Sequence, residues 1–226
     1  VRGYGKIYGN MNSIAISSDD KYLWTSGFEK NGHVKQFLVS DGQMINDYGA
    51  TFEDDGIYSI TTTPDSKYLF AGSNSGHLKQ FCLERGKVVH DYGRIHNSHV
   101  RCLETTRDSK WLITGSWDKK VKRISVQNRE VDIDFRRVCD NLIIRMKISA
   151  DGEKLLVGDY QGRLKLISAR DGELIKDFGR VHDYAITGIV ITVDQKFWFT
   201  CSTNGELKQW NYEDNTLVRD HGEITN

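Results

Sequence analysis

Short runs of apolar residues, alternating or continuous, recur along this chain between clusters of turn-forming residues, and residues 57–92 show the pattern. Ile57-Tyr58-Ser59-Ile60-Thr61 is β-branched and aromatic, which suits a strand. Pro64-Asp65-Ser66-Lys67 is a turn, with proline preset for it. Tyr68-Leu69-Phe70-Ala71-Gly72 predicts a second strand, and Asn74-Ser75-Gly76 turns again. His77-Leu78-Lys79-Gln80-Phe81-Cys82 alternates polar and apolar, the mark of a third strand. After Glu84-Arg85-Gly86, Lys87-Val88-Val89-His90-Asp91-Tyr92 completes a four-stranded antiparallel meander.

The same apolar positions return throughout the chain. Ile14, Ile60, Leu103, Met146 and Ile189 share one place in the first strand, and Leu23, Leu69, Leu112, Leu155 and Trp198 one in the second. Val34, Leu78, Val121, Leu164 and Leu207 share a third-strand place, and Met44, Val88, Val131, Leu174 and Leu217 a fourth-strand place. An Asp-aromatic-Gly triplet marks the period: Asp47-Tyr48-Gly49, Asp91-Tyr92-Gly93, Asp134-Phe135-Arg136, Asp177-Phe178-Gly179 and Asp220-His221-Gly222, after a worn copy at Gly3-Tyr4-Gly5. The steps are 44, 44, 43, 43 and 43 residues. A period of roughly 40–45 residues belongs to a stacked or radial array whose single units cannot bury their own apolar face. Sheets that are apolar on both faces must be covered on both, and radial packing as blades does this while leaving only short edges. The expected fold is all-β, a β-propeller of four-stranded antiparallel blades at about 13–48, 57–92, 99–135, 143–178 and 185–221.

Composition narrows the function. Lys+Arg and Asp+Glu both number 31, so the formal charge is zero, which argues against a general nucleic-acid or membrane binder. No apolar run approaches the roughly 20 residues of a membrane-spanning helix. Cys82, Cys102, Cys139 and Cys201 form no Cys-x-x-Cys pair and have no histidine cluster at zinc spacing, so they read as reduced thiols of an intracellular protein. No metal or cofactor is expected. The opening Val1-Arg2-Gly3-Tyr4 is neither a signal peptide nor an initiator-methionine start, which suggests an excised or processed piece.

At this level the repeats resemble the WD40 family. Thr114-Gly115-Ser116-Trp117-Asp118-Lys119-Lys120-Val121-Lys122 matches that family's Gly-Ser-x-Asp turn and third strand. Trp210, in Leu207-Lys208-Gln209-Trp210, takes the Trp position of the WD dipeptide, and His96 and His182 resemble the family's upstream histidine. Elsewhere the Trp position holds Phe37, Phe81, Ile124 and Ile167, and the turn Asp gives way to Asn31, Ser75, Gln161 and Asn204. No repeat keeps the full His–Ser/Thr–Asp–Trp set; the last comes nearest with His182, Ser202, Asn204 and Trp210. Both ends cut the repeat at one phase, and family rings most often have seven blades. The five units are therefore expected to be a segment of a seven-bladed or longer array, the rival being a closed five-bladed ring.

The resemblance implies a non-catalytic scaffold that docks other proteins in a larger assembly. Partners would meet the face bearing the loops between fourth and first strands and between second and third. Trp117 and Tyr160 hold one turn position in adjacent blades, with Arg136, Arg137 and Arg180 in the flanking loops. Aromatics and arginines on one face suit interface anchors, and arginine takes a carboxylate or phosphate bidentately. Acidic or phosphorylated protein segments are the expected partners. The alternative is that the aromatics fold back over their turns and the arginines are merely solvated. A second functional reading is a ribonucleoprotein component whose loop arginines contact phosphates, though charge balance disfavours nucleic acid. The lysines at 35, 79, 122, 165 and 208 are expected to cover aromatic surface with their stems while their heads stay wet. The Asp-Ser and Asp-Gly pairs at 65, 108, 151 and 171 are expected to be turn chemistry. His96 and His182 have no nucleophile with a fixed partner, so no catalytic role is expected. An intracellular, cytoplasmic location is expected, with cytoskeletal or ciliary association from family-level likeness.

Overall fold

The computed structural model describes residues 10–27 and 32–223. The Gly3-Tyr4-Gly5 copy, Asn31 and much of the loops at 6–12 and 28–32 lie outside them. Twenty strands form five antiparallel sheets, each a meander in chain order. The first contains β1 (Met11–Ile16), β2 (Tyr22–Gly27), β3 (His33–Leu38) and β4 (Met44–Ala50); the second, β5 (Ile57–Thr62), β6 (Tyr68–Ser73), β7 (His77–Cys82) and β8 (Lys87–Arg94). The third contains β9 (Val100–Thr105), β10 (Trp111–Ser116), β11 (Lys120–Ser125) and β12 (Glu130–Arg137). The fourth contains β13 (Ile143–Ile148), β14 (Lys154–Asp159), β15 (Arg163–Ser168) and β16 (Leu174–Arg180); the fifth, β17 (Ile186–Ile191), β18 (Phe197–Ser202), β19 (Glu206–Asn211) and β20 (Leu217–Glu223). This all-β arrangement is consistent with the five-bladed propeller that the repeat predicts, and among the described residues the sheets do not close into a ring.

Side-chain alternation along the second strands assembles the core. In β6, Leu69 and Ala71 point toward the preceding sheet while Phe70 points toward the following one. In β10, Leu112 and Ile113 divide in the same way, as do Leu155 and Leu156 in β14. Four apolar clusters result, and each is shared by two successive sheets. Burying one such side chain is worth about 1.5–3 kcal/mol, and each cluster draws on two successive sheets for that burial. The inner strands β1, β5, β9, β13 and β17 lie side by side in that order.

The terminal sheets lack one neighbour among the described residues. Ile14 is 65% exposed, whereas its equivalents Ile60, Leu103, Met146 and Ile189 are buried. The expectation that every strand is covered on both faces fails at the rim. Met44, Val88, Val131, Leu174 and Leu217, all on fourth strands, are exposed. Radial sheets diverge outward, so their outer edges separate while their inner strands touch.

The marker triplet has a separate job for each residue. Asp47, Asp91, Asp134, Asp177 and Asp220 each accept a hydrogen bond from the backbone N–H two residues on, at 2.8–2.9 Å. That closes a small turn at a register shift between third and fourth strands. The aromatic then reaches the next blade: Tyr48 packs edge-on to Phe81, and Phe178 against Trp198 and Trp210. Tyr92 and Phe135 join the clusters shared with the following sheets. His221, with no following sheet described, is exposed. The third residue needs positive φ, and the four glycines there have values of 65–71°.

The lysine expectation is corrected here. The heads of Lys79, Lys122, Lys165 and Lys208 do not stay wet: they lie 3.0–3.9 Å from the triplet aspartates, and the side chains are only 16–22% exposed. Lys79 and Lys165 also donate to carbonyls of the incoming loops, at Thr51 and Val138. The turn reading of the other aspartates agrees with the geometry: Asp65, Asp108 and Asp151 bind a Ser or Thr hydroxyl and a backbone N–H across their turns, and Asp171 accepts from the Glu173 N–H.

Arg136 alone puts a side chain on the positive-φ position of the triplet, at φ 56°. The open space around Gly93 and Gly179 indicates backbone strain rather than collision as its cost. Arg136→Gly is therefore expected to raise stability by up to about 1 kcal/mol, the strain relieved exceeding the added flexibility of the unfolded chain. Denaturant melts of the two proteins check this; an Arg136→Gly protein less stable than wild type would refute it.

Candidate functional site

Loops between fourth and first strands and between second and third do share one face. Asn74 N donates to Gly56 O, Trp117 N to His99 O, Tyr160 N to Leu142 O and Thr203 N to Ala185 O, each at 2.9–3.1 Å. Each second-to-third turn is thereby tied to the incoming loop of its own sheet. The turns need a tight bend. At Gly162, φ is 77° and an added Cβ would fall 2.0 Å from the His182 carbonyl oxygen, so only glycine lets loop 180–185 settle there.

Buried hydrogen-bond chains brace this face in the third and fifth sheets. His96 bonds Asp118 through Nδ1 at 3.0 Å and meets the Thr114 hydroxyl at Nε2 at 2.8 Å. His182 bonds Glu206 through Nδ1 at 2.9 Å and meets Thr200 at Nε2 at 2.8 Å, and Trp210 Nε1 donates to Thr200 Oγ1 at 3.1 Å. Burial pushes the His182 imidazole below the ordinary histidine range even though Glu206 opposes it. A neutral ring then donates from Nδ1 and accepts the Thr200 hydroxyl proton at Nε2, which satisfies every member. Ser202 and Asn204 bond each other beside this chain rather than within it. Thr200 is the hydroxyl, and the carboxylate comes from Glu206, with Asn204 bonding its other oxygen. In the second sheet Phe52 and Ala71 take the His and Thr places, and in the fourth Cys139 and Val157 do; all four are buried. Polar pair and apolar pair exchange as units, which leaves no orphaned partner.

The arginines behave differently from the sequence expectation. Arg137 donates from Nε to Cys139 O and from Nη2 to Asp140 O, both at 3.3 Å. Arg180 donates equivalently to His182 O and Asp183 O, and Arg94 to His96 O and Asn97 O. These three hold one repeat position and clamp their own loops. Arg136 is exposed, and its guanidinium makes no hydrogen bond or ion pair among the described residues.

Trp117 and Tyr160 part company as well. The Trp117 indole folds inward against His99, ring centroids 4.1 Å apart, and against Tyr58. Tyr160 remains 58% exposed. It lines a groove of about 480 Å³ with Gln161, Arg163, Arg180, Asp183, Tyr184, Ala185 and Thr203. Tyr184, which the sequence reading missed, is 57% exposed. Its signal is there in Val181-His182-Asp183-Tyr184, a large aromatic in a loop that should be polar. Arg163 lies 3.8 Å from Asp140, and Arg180 is 3.7 Å from Asp183. The groove therefore presents two tyrosine faces and two arginines oriented by carboxylates and carbonyls. A second groove of about 490 Å³ on the opposite face contains Arg123, whose guanidinium is engaged by Asp132, by two carbonyls and by the Trp111 ring.

Asp118 gives the bracing network a pH signature. Burial pushes its carboxyl up, but the His96 bond and charge and the N–H groups of Asn97 and Lys120 prevail and bring it to about 2. A depressed carboxyl stabilises fully above its unfolded value near 4, and that contribution disappears as pH falls toward 2. About 2 kcal/mol is expected to be lost over that interval, and Asp118→Asn should flatten this part of the stability–pH curve. Curves of equal slope for the two proteins would contradict the assignment.

Comparison with known families accords with this geometry. The family model described as WD domain, G-beta repeat (WD40) matches residues 46–81 and 86–123. Each match opens at or just before a fourth strand and ends within the third strand of the following sheet, so the family unit straddles two blades. No curated protein matches the chain. WD40 repeats generally mediate protein–protein interaction and are typically non-catalytic. Residues 46–81 and 86–123 match the WD40 repeat model, and the five four-stranded antiparallel sheets are consistent with repeats of that kind.

Proposed function

We propose that this chain is a non-catalytic docking module of a multiprotein assembly, and that a partner seats an acidic or phosphorylated segment in the Tyr160–Tyr184 groove. The observation that carries this is the pair of tyrosines, both more than half exposed, on one groove with Arg163 and Arg180. Tyrosine offers a large, rigid contact area at low entropic cost, and arginine adds a planar charge; these are the residue types that dominate interface energy. Arg180 is already held by the carbonyls of its own loop, so binding orders it little further. The triplet lysines are paired with aspartates rather than free to follow a phosphate backbone, which weighs against the reading as an RNA-phosphate binder.

We place the module inside the cell, in the cytoplasm, with cytoskeletal or ciliary assemblies as a setting. The four cysteines are free thiols, and burial pushes those of Cys102 and Cys139 up to about 12, so they stay protonated and inert.

Capture from native lysate by wild type and by Tyr160→Ala/Tyr184→Ala tests the groove. A partner retained by wild type should bind the variant at least ~10-fold more weakly, about 1.4 kcal/mol, with the melting temperature unchanged. Equal capture by both would remove the groove as the docking site.

A further inference from the structure

Among the described tyrosines only Tyr160 and Tyr184 are exposed, and the others are half-buried. Neither of the two hydroxyls makes a hydrogen bond among the described residues, and both rings line one groove. Tyr184 stands at the tip of loop 180–185, where Asp183 and Tyr184 are exposed while His182 and Ile186 on either side are buried. The tip therefore offers a phenol to solvent without any core residue having to move.

The same groove contains Arg163 and Arg180, which stand directly opposite each other in the β15–β16 ladder. Like charges facing across a ladder repel, so an anion between them is favoured. The carboxylates at hand meet them only loosely. Arg163 is 3.8 Å from Asp140 and Arg180 is 3.7 Å from Asp183, and the four side chains are 49–74% exposed. Exposed ion pairs of that length contribute little and are readily exchanged for a stronger anion. The Arg163 guanidinium makes no hydrogen bond among the described residues, and Arg180 gives only Nε and Nη2 to the carbonyls of its loop. Donors therefore remain on both arginines.

Resting on the reading of this groove as the docking site, we propose that Tyr184 is a phosphorylation site whose phosphoryl group is clamped by Arg163 and Arg180, so that the modified loop closes its own groove. A protein tyrosine kinase transfers the γ-phosphoryl group of a nucleoside triphosphate. The bond between Tyr184 Oη and phosphorus forms, the bond from phosphorus to the bridging oxygen of the departing diphosphate breaks, and the phenolic proton passes to the kinase's base. Hydrolysis by a phosphatase, with water as nucleophile, reopens the groove. The product carries a charge of about −1.5 to −2 and three acceptor oxygens, more than the single carboxylate that meets each arginine in the unmodified chain. Planar guanidinium donors match those oxygens. A partner's acidic or phosphorylated segment then meets an occupied seat and a like charge.

Two measurements without any partner test this. Folded chain is treated with a broad-specificity tyrosine kinase and magnesium ATP, and the label is mapped by mass spectrometry. Tyr184 should be modified, and Tyr184→Phe should lose that label; label confined to other tyrosines would overturn the site. The full chain is then made with phosphotyrosine at position 184, and its phosphorus resonance is followed against pH beside a phosphotyrosine peptide of residues 181–188. The clamp favours the dianion, so its last proton should leave at a pH about 1 lower than in the peptide, a roughly tenfold change in proton affinity. Arg163→Gln should remove most of that difference. Should Arg163→Gln fail to fold, Arg163→Lys keeps the charge without the fork and should remove part of it. Titration like the peptide's, or no change in a folded Arg163 variant, would overturn the clamp. The docking reading stands or falls separately, on capture by Tyr160→Ala/Tyr184→Ala. A partner that passes that test should bind the phosphorylated chain at least ~10-fold more weakly, and equal binding would overturn closure of the groove.

Discussion

Burial between successive sheets is the constraint on which this molecule rests. Each interior sheet is apolar on both faces, and each of the four core clusters draws on two neighbours. A single sheet would leave in water the apolar side chains that now meet its neighbours. The array is therefore stable only as a sum of neighbour interfaces, the thermodynamic form expected of repeat proteins. The Asp-aromatic-Gly triplet works within this constraint. Its aspartate shapes the turn and holds the third-strand lysine, its aromatic enters the next interface, and its glycine accepts the backbone angle that joins the two tasks.

Rigidity at the interfaces is what allows the loops to be specific. The clamps made by Arg94, Arg137 and Arg180 and the buried histidine chains convert the loop-bearing face from a set of flexible connections into a fixed surface. On that surface, Tyr160 and Tyr184 stand out because they are large, apolar-bodied and uncovered, whereas Trp117 has turned inward to make part of the wall. Affinity in such a module comes from a few preorganised anchors rather than from area.

The fold was legible in the sequence because its cause is periodic. Apolar residues recurring at one place in each strand, such as Leu69, Leu112 and Leu155, report the interfaces directly. The site was less legible, because equivalent positions have unlike surroundings. Trp117 and Tyr160 share a turn position, yet only the Trp117 turn has His99 and Tyr58 beside it to cover a ring. Arg137 and Arg180 are exposed, but that they also clamp their own loops rests on their spacing to the carbonyls two and three residues on, which side-chain type alone does not encode. The histidine network was read one hydroxyl and one carboxylate away from its true members, since Thr200 and Ser202 lie on the same strand and only geometry separates them. Exposure of Met44 and Leu174 follows from radial divergence, which a strand pattern does not encode.

Neighbour dependence is tested most directly by hydrogen exchange on Phe70→Ala. Phe70 belongs to β6 but is fully buried in the cluster shared with Leu103, Leu112 and Ile124 of the third sheet. Removing the ring is expected to cost about 3–5 kcal/mol. If sheets are stable through their neighbours, exchange should accelerate in β9 and β10 as much as in β5 and β6, with a smaller effect in β17–β20. Acceleration confined to β5–β8 would show that each sheet is stable on its own and would contradict the account.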